Sequence, residues 1–491
     1  MPQPAAFHDL GALRFDGGAA LAPDSVDRVR AAVRDSGVRD LYIVVHGAHN
    51  DEEVGAAVDG AYRRLLAEAW QDAPGRAGML SVHWPSLCFR DEDLPGVEQR
   101  PDGAEADRET LDDLVRHLPG HEEELTRIVA LLRDRSDHET AFDDFGTQLR
   151  RLAEVPLQDP VAPFASDAEG EIIPQSDPLM LFEDTRTMCV EFAGALDDLR
   201  RAGDTGSARP ARHEDGRKGP DVSEEGTLAE IRVAGPRPAR PLSERVARAG
   251  TVASGGPLGE QARTADQAAL WDGAHELFRQ VVRHMLRRRA GFIGELGLGP
   301  ALPGLAEDSE VRLHLVGHGL GARLAGFALR GLESGGAEPV MLSSLTLLQG
   351  EMSHFAFADS LPQQVSGHGA LWSLQRLVQG PLFCTFSHLD FHLGVLYPLS
   401  AQMIGDSADL TSIARKWGAL GFDGVQGVEG PAPVCLGETG KEDLRRLPYL
   451  NVDASEVVHT TDRPFSGHHD VMHPEIGQLL RQAADVPGGA D

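Results

Sequence analysis

The residues best placed to do chemistry are a glycine-bracketed turn and two clusters of histidine and aspartate far downstream of it. The turn is Gly317-His318-Gly319-Leu320-Gly321, which follows the apolar run 311–316 (VRLHLV) and opens a helix rich in small residues. Glycine at both ends of so sharp a strand-to-helix turn lets the two backbones nearly touch, where a Cβ would clash. A side chain at the middle of such a turn is lifted clear of its surroundings, as a nucleophile must be. Here the middle residue is Gly319, which has none. One downstream cluster is His388-x-Asp390-x-His392, and the other is Ser466-Gly467-His468-His469-Asp470, with His473 close behind. Imidazole and carboxylate together support general acid–base transfer, and the same groups could ligate a divalent ion. His46-Gly47-Ala48 closes another apolar run and could offer backbone N–H groups to a developing oxyanion, or be a plain strand-to-helix turn.

The elements that must hold these residues alternate. Residues 41–47 (LYIVVHG) and 79–84 (MLSVHW) are short apolar runs ended by Gly or Pro, with a helical pattern at 52–71 between them. Alternation resumes at about 265, with a helix carrying Ala269, Leu270, Ala274, Leu277, Phe278, Val281, Val282 and Met285 at i, i+4, i+7 spacing. Strands are predicted at 311–316, 342–348, 382–387 and near 449–459. Strands spaced by helices predict an α/β fold with a mostly parallel sheet covered on both faces. The predicted core is discontinuous, 1–85 and 265–491.

Residues 86–202 interrupt it as an acidic helical insert placed to act as a lid. Residues 86–154 alone hold 9 basic against 19 acidic residues, a third of the net charge of −30 that 46 Lys+Arg and 76 Asp+Glu give the chain. Residues 203–264 are rich in Gly, Pro, Arg, Ser and Glu with almost no large apolar residues, the composition of a disordered linker. Arg287-Arg288-Arg289 reads as a solvated helix face or as an ion-pairing patch for the insert. There is no internal repeat.

The Leu315–Arg323 frame resembles the nucleophile elbow of the α/β-hydrolase superfamily, which commonly reads GHSLG or GHSFG. More narrowly, the chain looks like an uncharacterised bacterial serine-hydrolase-like family. That resemblance is carried in order by VVHGAHND, RAGFIGELGLGP, VGHGLGARLAGFAL, LLQGEMSHFAFA, SHLDFHLGVLYPLSAQMIG and SGHHDVMHPEIG, over roughly 40–85 and 280–480. It implies a triad in the order nucleophile, acid, base: the Gly319 position, then Asp390 after the strand PLFCTFS, then His468 near the C-terminus. The family pattern H-x-D-[IV]-x-H-P-E puts His468 in register with Asp470, His473, Pro474 and Glu475, while the adjacent His469 remains an alternative base. Gly317, His318 and Gly321 complete the elbow. The oxyanion donors would be the amides of Ala48 and Leu320.

Glycine at position 319 cannot form an acyl-enzyme, so the resemblance implies an esterase, lipase or amidase scaffold that is inactive or nearly so as written. Three readings stay open: an inactivated hydrolase, a pseudo-hydrolase that binds an acyl-bearing ligand or a protein partner, and weak hydrolysis by water activated on Asp390 and His468. The ligand class is a small ester, amide or lipid-like molecule. A protein partner on the acidic insert is the alternative, and would make the chain an interaction module.

Both histidine clusters fall on positions that the hydrolase frame already uses, so no metal is expected, and no cofactor: there is no Walker loop, and the glycines at 291–299 follow no predicted strand. Net charge argues against nucleic acid and anionic membrane surfaces. No run approaches the ~18 apolar residues of a membrane helix. Four separated cysteines (Cys88, Cys189, Cys384, Cys435) read as reduced thiols. A cytoplasmic protein is the expectation.

Overall fold

The structure is a computed structural model that describes residues 7–485 except 48–51, 74–75, 90–91, 93, 96, 98–103, 155–157, 170–183, 205–265, 308–309, 335–340, 362–366, 405–417, 439–446, 448 and 461–464. The linker expected over 203–264 lies outside the described residues apart from its first two. So does Ala48.

Eight strands form one sheet: β1 (His8–Arg14), β2 (Asp40–Val45), β3 (Ala77–His83), β4 (Arg312–His318), β5 (Ser344–Leu348), β6 (Leu382–Phe386), β7 (Val434–Cys435) and β8 (Leu450–Asp453). Their order is β1-β3-β2-β4-β5-β6-β8-β7, and every pair in it is parallel. The central strands are buried along nearly their whole length, which is why they read as continuous apolar runs. Leu41, Ile43 and Val45 pack into the larger core on one face, while Tyr42 and Val44 pack into a second core on the other. Both faces therefore carry helices.

The flanking helices are α1 (Ser25–Ser36), α2 (Glu52–Ala69), α3 (Ala104–His117), α4 (Glu122–Asp134), α5 (Glu139–Ala153), α6 (Thr185–Asp204), α7 (Gln267–Ile293), α8 (Gly299–Ala306), α9 (Leu320–Ser334), α10 (Tyr397–Ile404), α11 (Leu420–Asp423), α12 (Ser466–His469) and α13 (Pro474–Asp485). A π-helical turn, Gly294–Leu298, joins α7 to α8. Its glycines let α7 cross α9 closely: a Cβ on Gly294 would lie 2.3 Å from the Leu324 carbonyl oxygen. Among the described residues, no helix is long and apolar enough to cross a membrane.

Helices α3–α6 lie in the acidic stretch; α4, α5 and α6 pack on α7, and α3 packs on α4. The Phe142 and Trp271 rings stack with centroids 4.3 Å apart, and Phe145 meets Trp271 edge-on at 6.0 Å. Asp167, buried after α5, accepts hydrogen bonds from Arg323 Nε (2.8 Å), Arg287 Nη2 (3.0 Å) and the Ser353 amide (2.8 Å). Arg287 is therefore no solvated face. It is buried and tied to the acidic stretch, while the neighbouring Arg289 donates to the Pro85 carbonyl at 2.8 Å. All four cysteines are free thiols, three buried and Cys435 exposed.

The sheet order locates the functional end. From β2 the chain moves outward to β3, and from β4 it moves the other way to β5 and β6, so connections diverge between β2 and β4. In open parallel sheets, ligands bind beyond the C-terminal strand ends at such a divergence. Gly47 and Gly319 meet there: a Cβ on Gly47 would lie 2.8 Å from the His318 carbonyl oxygen and 3.0 Å from the Leu320 amide.

Candidate functional site

The turn after β4 is as tight as its glycines require. A Cβ on Gly321 would lie 2.0 Å from the Val45 carbonyl oxygen, and one on Gly317 would lie 2.5 Å from both Ala322 Cα and the Gly321 carbonyl oxygen. Gly319 sits at the apex with φ +57°, a left-handed conformation that costs other residues energy. Its amide donates to the Leu348 carbonyl (3.0 Å), and its carbonyl accepts from the amides of Ala322 and Glu351 (3.1 Å each). The apex is thus locked to β5 and to the loop that follows it. Leu320 opens α9, so its amide is among the N-terminal donors that a helix cannot satisfy internally.

His468 stands directly over that apex. Its Nε2 is 2.7 Å from the point that a Cβ of residue 319 would occupy. Its Nδ1 is 3.3 Å from Asp390 Oδ2, and both side chains are buried. With Nδ1–H donating to the aspartate, the Nε2 lone pair points at Gly319. His318 donates from its Nε2 to the His468 carbonyl at 2.8 Å, which holds the α12 backbone in place. His469 turns elsewhere, its Nε2 3.3 Å from Glu92 Oε2. Of the expected residues, the structure brings together the Gly319 apex, Asp390, His468 and His318, with Leu320 adjoining.

The spacing of His388, Asp390 and His392 is not that of a strand. β6 ends at Phe386, residues 388–389 turn, and a π-helical segment begins at His392. His388 is exposed, whereas Asp390 and His392 are buried. In the second cluster, His473 pairs with Asp470 at 2.8 Å and takes no part in the apex.

Three further residues complete the site, and the pattern of histidines and glycines did not reveal them. Glu351, on the loop after β5, accepts from Arg283 Nη2 (2.7 Å) and Nε (3.2 Å). Arg283 also reaches Glu92 from the acidic stretch, at 3.2 Å. A guanidinium thus bridges two buried carboxylates, one from the core and one from the segment that covers it. Glu351 lies within the quoted LLQGEMSH motif, but nothing in its sequence context sets it apart from a surface glutamate. Arg283 stands on α7 between Val282 and His284, and its burial is explained by Glu92, Glu351 and the Phe465 ring beneath it, 4.8 Å away.

Burial and neighbouring charge shift these groups apart. Burial pushes Asp390 up to about 7, with Glu351 adding to the push while the Leu393 amide and Gln349 oppose it. Burial holds His468 well below the ordinary imidazole value, and its histidine neighbours and Arg283 reinforce that. It takes His318 to about 3 and His392 to about 4. Burial alone would raise Glu351, but Arg283 and His392 outweigh it and leave the carboxylate ionised. At neutral pH the site holds unprotonated imidazoles beside a firmly ionised glutamate.

No protein-family model, no curated protein and no solved structure matches this chain. Its chemistry is that of the arrangement itself. A neutral imidazole backed by a carboxyl group can take a proton from a hydroxyl or water placed against Nε2. A cavity of about 580 Å³ lies beside the apex rather than on it, lined among others by Arg64, Leu65, Leu94, His469 and Asp470. It reaches His469 but not Gly319, Asp390 or His468.

Proposed function

We propose that this chain is an α/β-hydrolase-type protein of the serine esterase, lipase or amidase kind whose covalent chemistry is absent. In this reading the site receives an ester, amide or lipid-like ligand without forming an acyl-enzyme. The observation that carries it is the alignment of Asp390, His468 and the side-chain-free apex. An imidazole whose Nε2 points within 2.7 Å of a missing Cβ, with a buried carboxyl group behind it, is a general base aimed at a nucleophile that Gly319 does not supply. The left-handed φ at the apex, which would strain any residue but glycine, and the helix N-terminus at Leu320 support the same reading, as elbow and as oxyanion donor. Ala48, the partner donor in this proposal, lies outside the described residues. The acidic stretch from 86 to 202 serves as the lid, its Glu92 closing on Arg283 and His469.

The alternative is a pseudo-hydrolase that uses the cleft only for binding. The enclosed centre, with Glu92 drawn in over it and a cavity alongside, favours that variant over slow turnover by activated water. The test is Gly319→Ser. The variant is expected to gain hydrolysis of small p-nitrophenyl esters where the parent chain has none, and to melt at a lower temperature. A folded variant as inert as the parent would overturn the proposal.

A further inference from the structure

We propose that Glu351, His392 and His468 form a binding site for a single divalent first-row transition-metal ion beside the Gly319 apex. The three side chains come from three different segments, the loop after β5, the π-helical segment after β6 and the short helix α12, and all are buried. One donor atom from each lies within 4.8 Å of the other two. His392 Nε2 is 3.4 Å from Glu351 Oε2, and His468 Nε2 is 4.0 Å from the same oxygen. Donors about 2.0–2.2 Å from a tetrahedral ion sit roughly 3.3–3.6 Å apart. The first pair is already at that separation, and the second closes to it with a shift of about half an ångström.

Two observations beyond the clustering point to an ion. His392 is wholly buried, yet neither of its ring nitrogens makes a hydrogen bond among the described residues; its approach to Glu351 lacks hydrogen-bond alignment. Buried polar groups are rarely left so, and an unsatisfied imidazole nitrogen facing a carboxylate is a ligand atom awaiting a Lewis acid. Second, Asp390 Oδ2 backs His468 Nδ1, the carboxylate–histidine pairing that orients a metal-binding imidazole through its far nitrogen. Charge is compatible as well. Arg283 is shared by Glu92 and Glu351, so these two carboxylates exceed the guanidinium by one negative charge. Arg283 leaves a lone pair of Glu351 Oε2 facing the histidines, because a carboxylate oxygen accepts in two directions.

Two imidazoles and one carboxylate suit zinc, cobalt, nickel or ferrous ions rather than calcium or magnesium, which prefer all-oxygen shells. A second histidine–aspartate group, His46, Asp59 and His83, is a weaker candidate. Arg14 donates to His83 Nδ1, which leaves the proton on Nε2, and that proton is given to Asp59 at 2.8 Å.

The inference does not depend on the hydrolase reading, since the site could hold an ion whether or not an acyl group ever enters. The test uses the full chain stripped with EDTA and titrated with Zn²⁺ and Co²⁺, read by calorimetry, melting temperature and the visible absorption of cobalt. One ion per chain is expected, with cobalt bands of a tetrahedral or five-coordinate nitrogen–oxygen site. His392→Ala and the milder His392→Gln should each weaken binding at least 100-fold. Asp390→Asn should weaken it about 10–100-fold, while His46→Ala should leave it unchanged. Zinc should also block reaction of a fluorophosphonate with Gly319→Ser, because both need His468 Nε2. A folded parent chain that binds neither ion overturns the inference, as does binding that survives both His392 variants or is lost in His46→Ala. If zinc binds as expected while Gly319→Ser stays inert even without metal, the metal site stands and the hydrolase reading falls.

Discussion

Two of the aspartate–histidine groupings lie at opposite ends of the sheet, and they differ in how far their polar atoms are satisfied. At the N-terminal end of the central strands, His314 on β4 donates from Nε2 to Asp40 Oδ1 on β2 (3.1 Å), and its Nδ1 accepts from Ser344 Oγ on β5 (2.8 Å). Arg312 and Arg76 also pair with Asp40. Serine, histidine and aspartate are all present and nearly wholly buried, yet both ring nitrogens are spent. At the C-terminal end, Asp390 and His468 repeat the carboxyl–imidazole pair, but Nε2 faces a residue without a side chain, and the ring nitrogens of His392 nearby make no hydrogen bond among the described residues. A satisfied network fastens strands together. An unsatisfied one keeps a lone pair available.

The largest effect expected of this contrast is on stability. Asp40→Ala leaves the buried His314 Nε2–H without its acceptor and takes the partner from two partly exposed arginines, and a buried donor left unsatisfied costs about 1–3 kcal/mol. Denaturant unfolding should show that loss, while the reactive end, assayed as labelling in a Gly319→Ser background at a temperature where both chains fold, stays unchanged. Loss of labelling in a folded Asp40→Ala chain would mean that the two ends are not independent.

The two aspartates should also respond to pH with opposite signs. Asp390 has a folded value of about 7 against an ordinary 3.8, so the folded chain keeps a proton that the unfolded chain releases. Its contribution to stability is full below about pH 4 and is lost as pH rises through 7. Asp390→Asn should therefore gain on the parent in melting temperature as pH climbs from 4 to 8. Asp40 is the reverse case: burial raises it, but His314, Arg312 and Arg76 together bring it below 3.8. Its contribution is present above that value and fades as pH falls through the lower folded value, so the deficit of Asp40→Asn should shrink below pH 4. Equal slopes for the two variants would break the comparison.

Much of this was legible beforehand, and the gaps have physical causes. The buried strands read as continuous apolar runs, within two residues at most ends. β1 was missed because it is an edge strand, with only Leu10 and Leu13 turned inward and a register shift between Asp9 and Ala12. β7 is two residues long and leaves no pattern. At the site, Gly317, Gly319 and Gly321 announced a sharp turn because close backbone approach restricts residue type so severely. Asp390 and His468 came with it through the family resemblance rather than through spacing. Glu92, Arg283 and Glu351 were not legible, because a buried ion pair between elements far apart in the chain writes no periodicity. For the same reason nothing in the sequence separates His314, whose two ring nitrogens are both bonded, from His468, whose Nε2 faces Gly319.

The smallest effect is at Ser344. Ser344→Ala removes one hydrogen bond to His314 and should cost about 0.5–1.5 kcal/mol, with no change at the reactive end. Were it to abolish labelling, the lower network would have to be read as chemical.

The most direct test is covalent labelling of metal-free Gly319→Ser by a fluorophosphonate, with Gly319→Ser/His468→Ala beside it. A serine at the apex requires the His468 ring to draw back by about 1 Å to reach ordinary contact, a movement open to a side chain on a four-residue helix. One adduct per chain on the introduced serine, lost when His468 is removed, is the predicted result. A folded Gly319→Ser chain that stays unlabelled, or that labels equally well without His468, would contradict the claim that the imidazole is a general base aimed at the vacant apex.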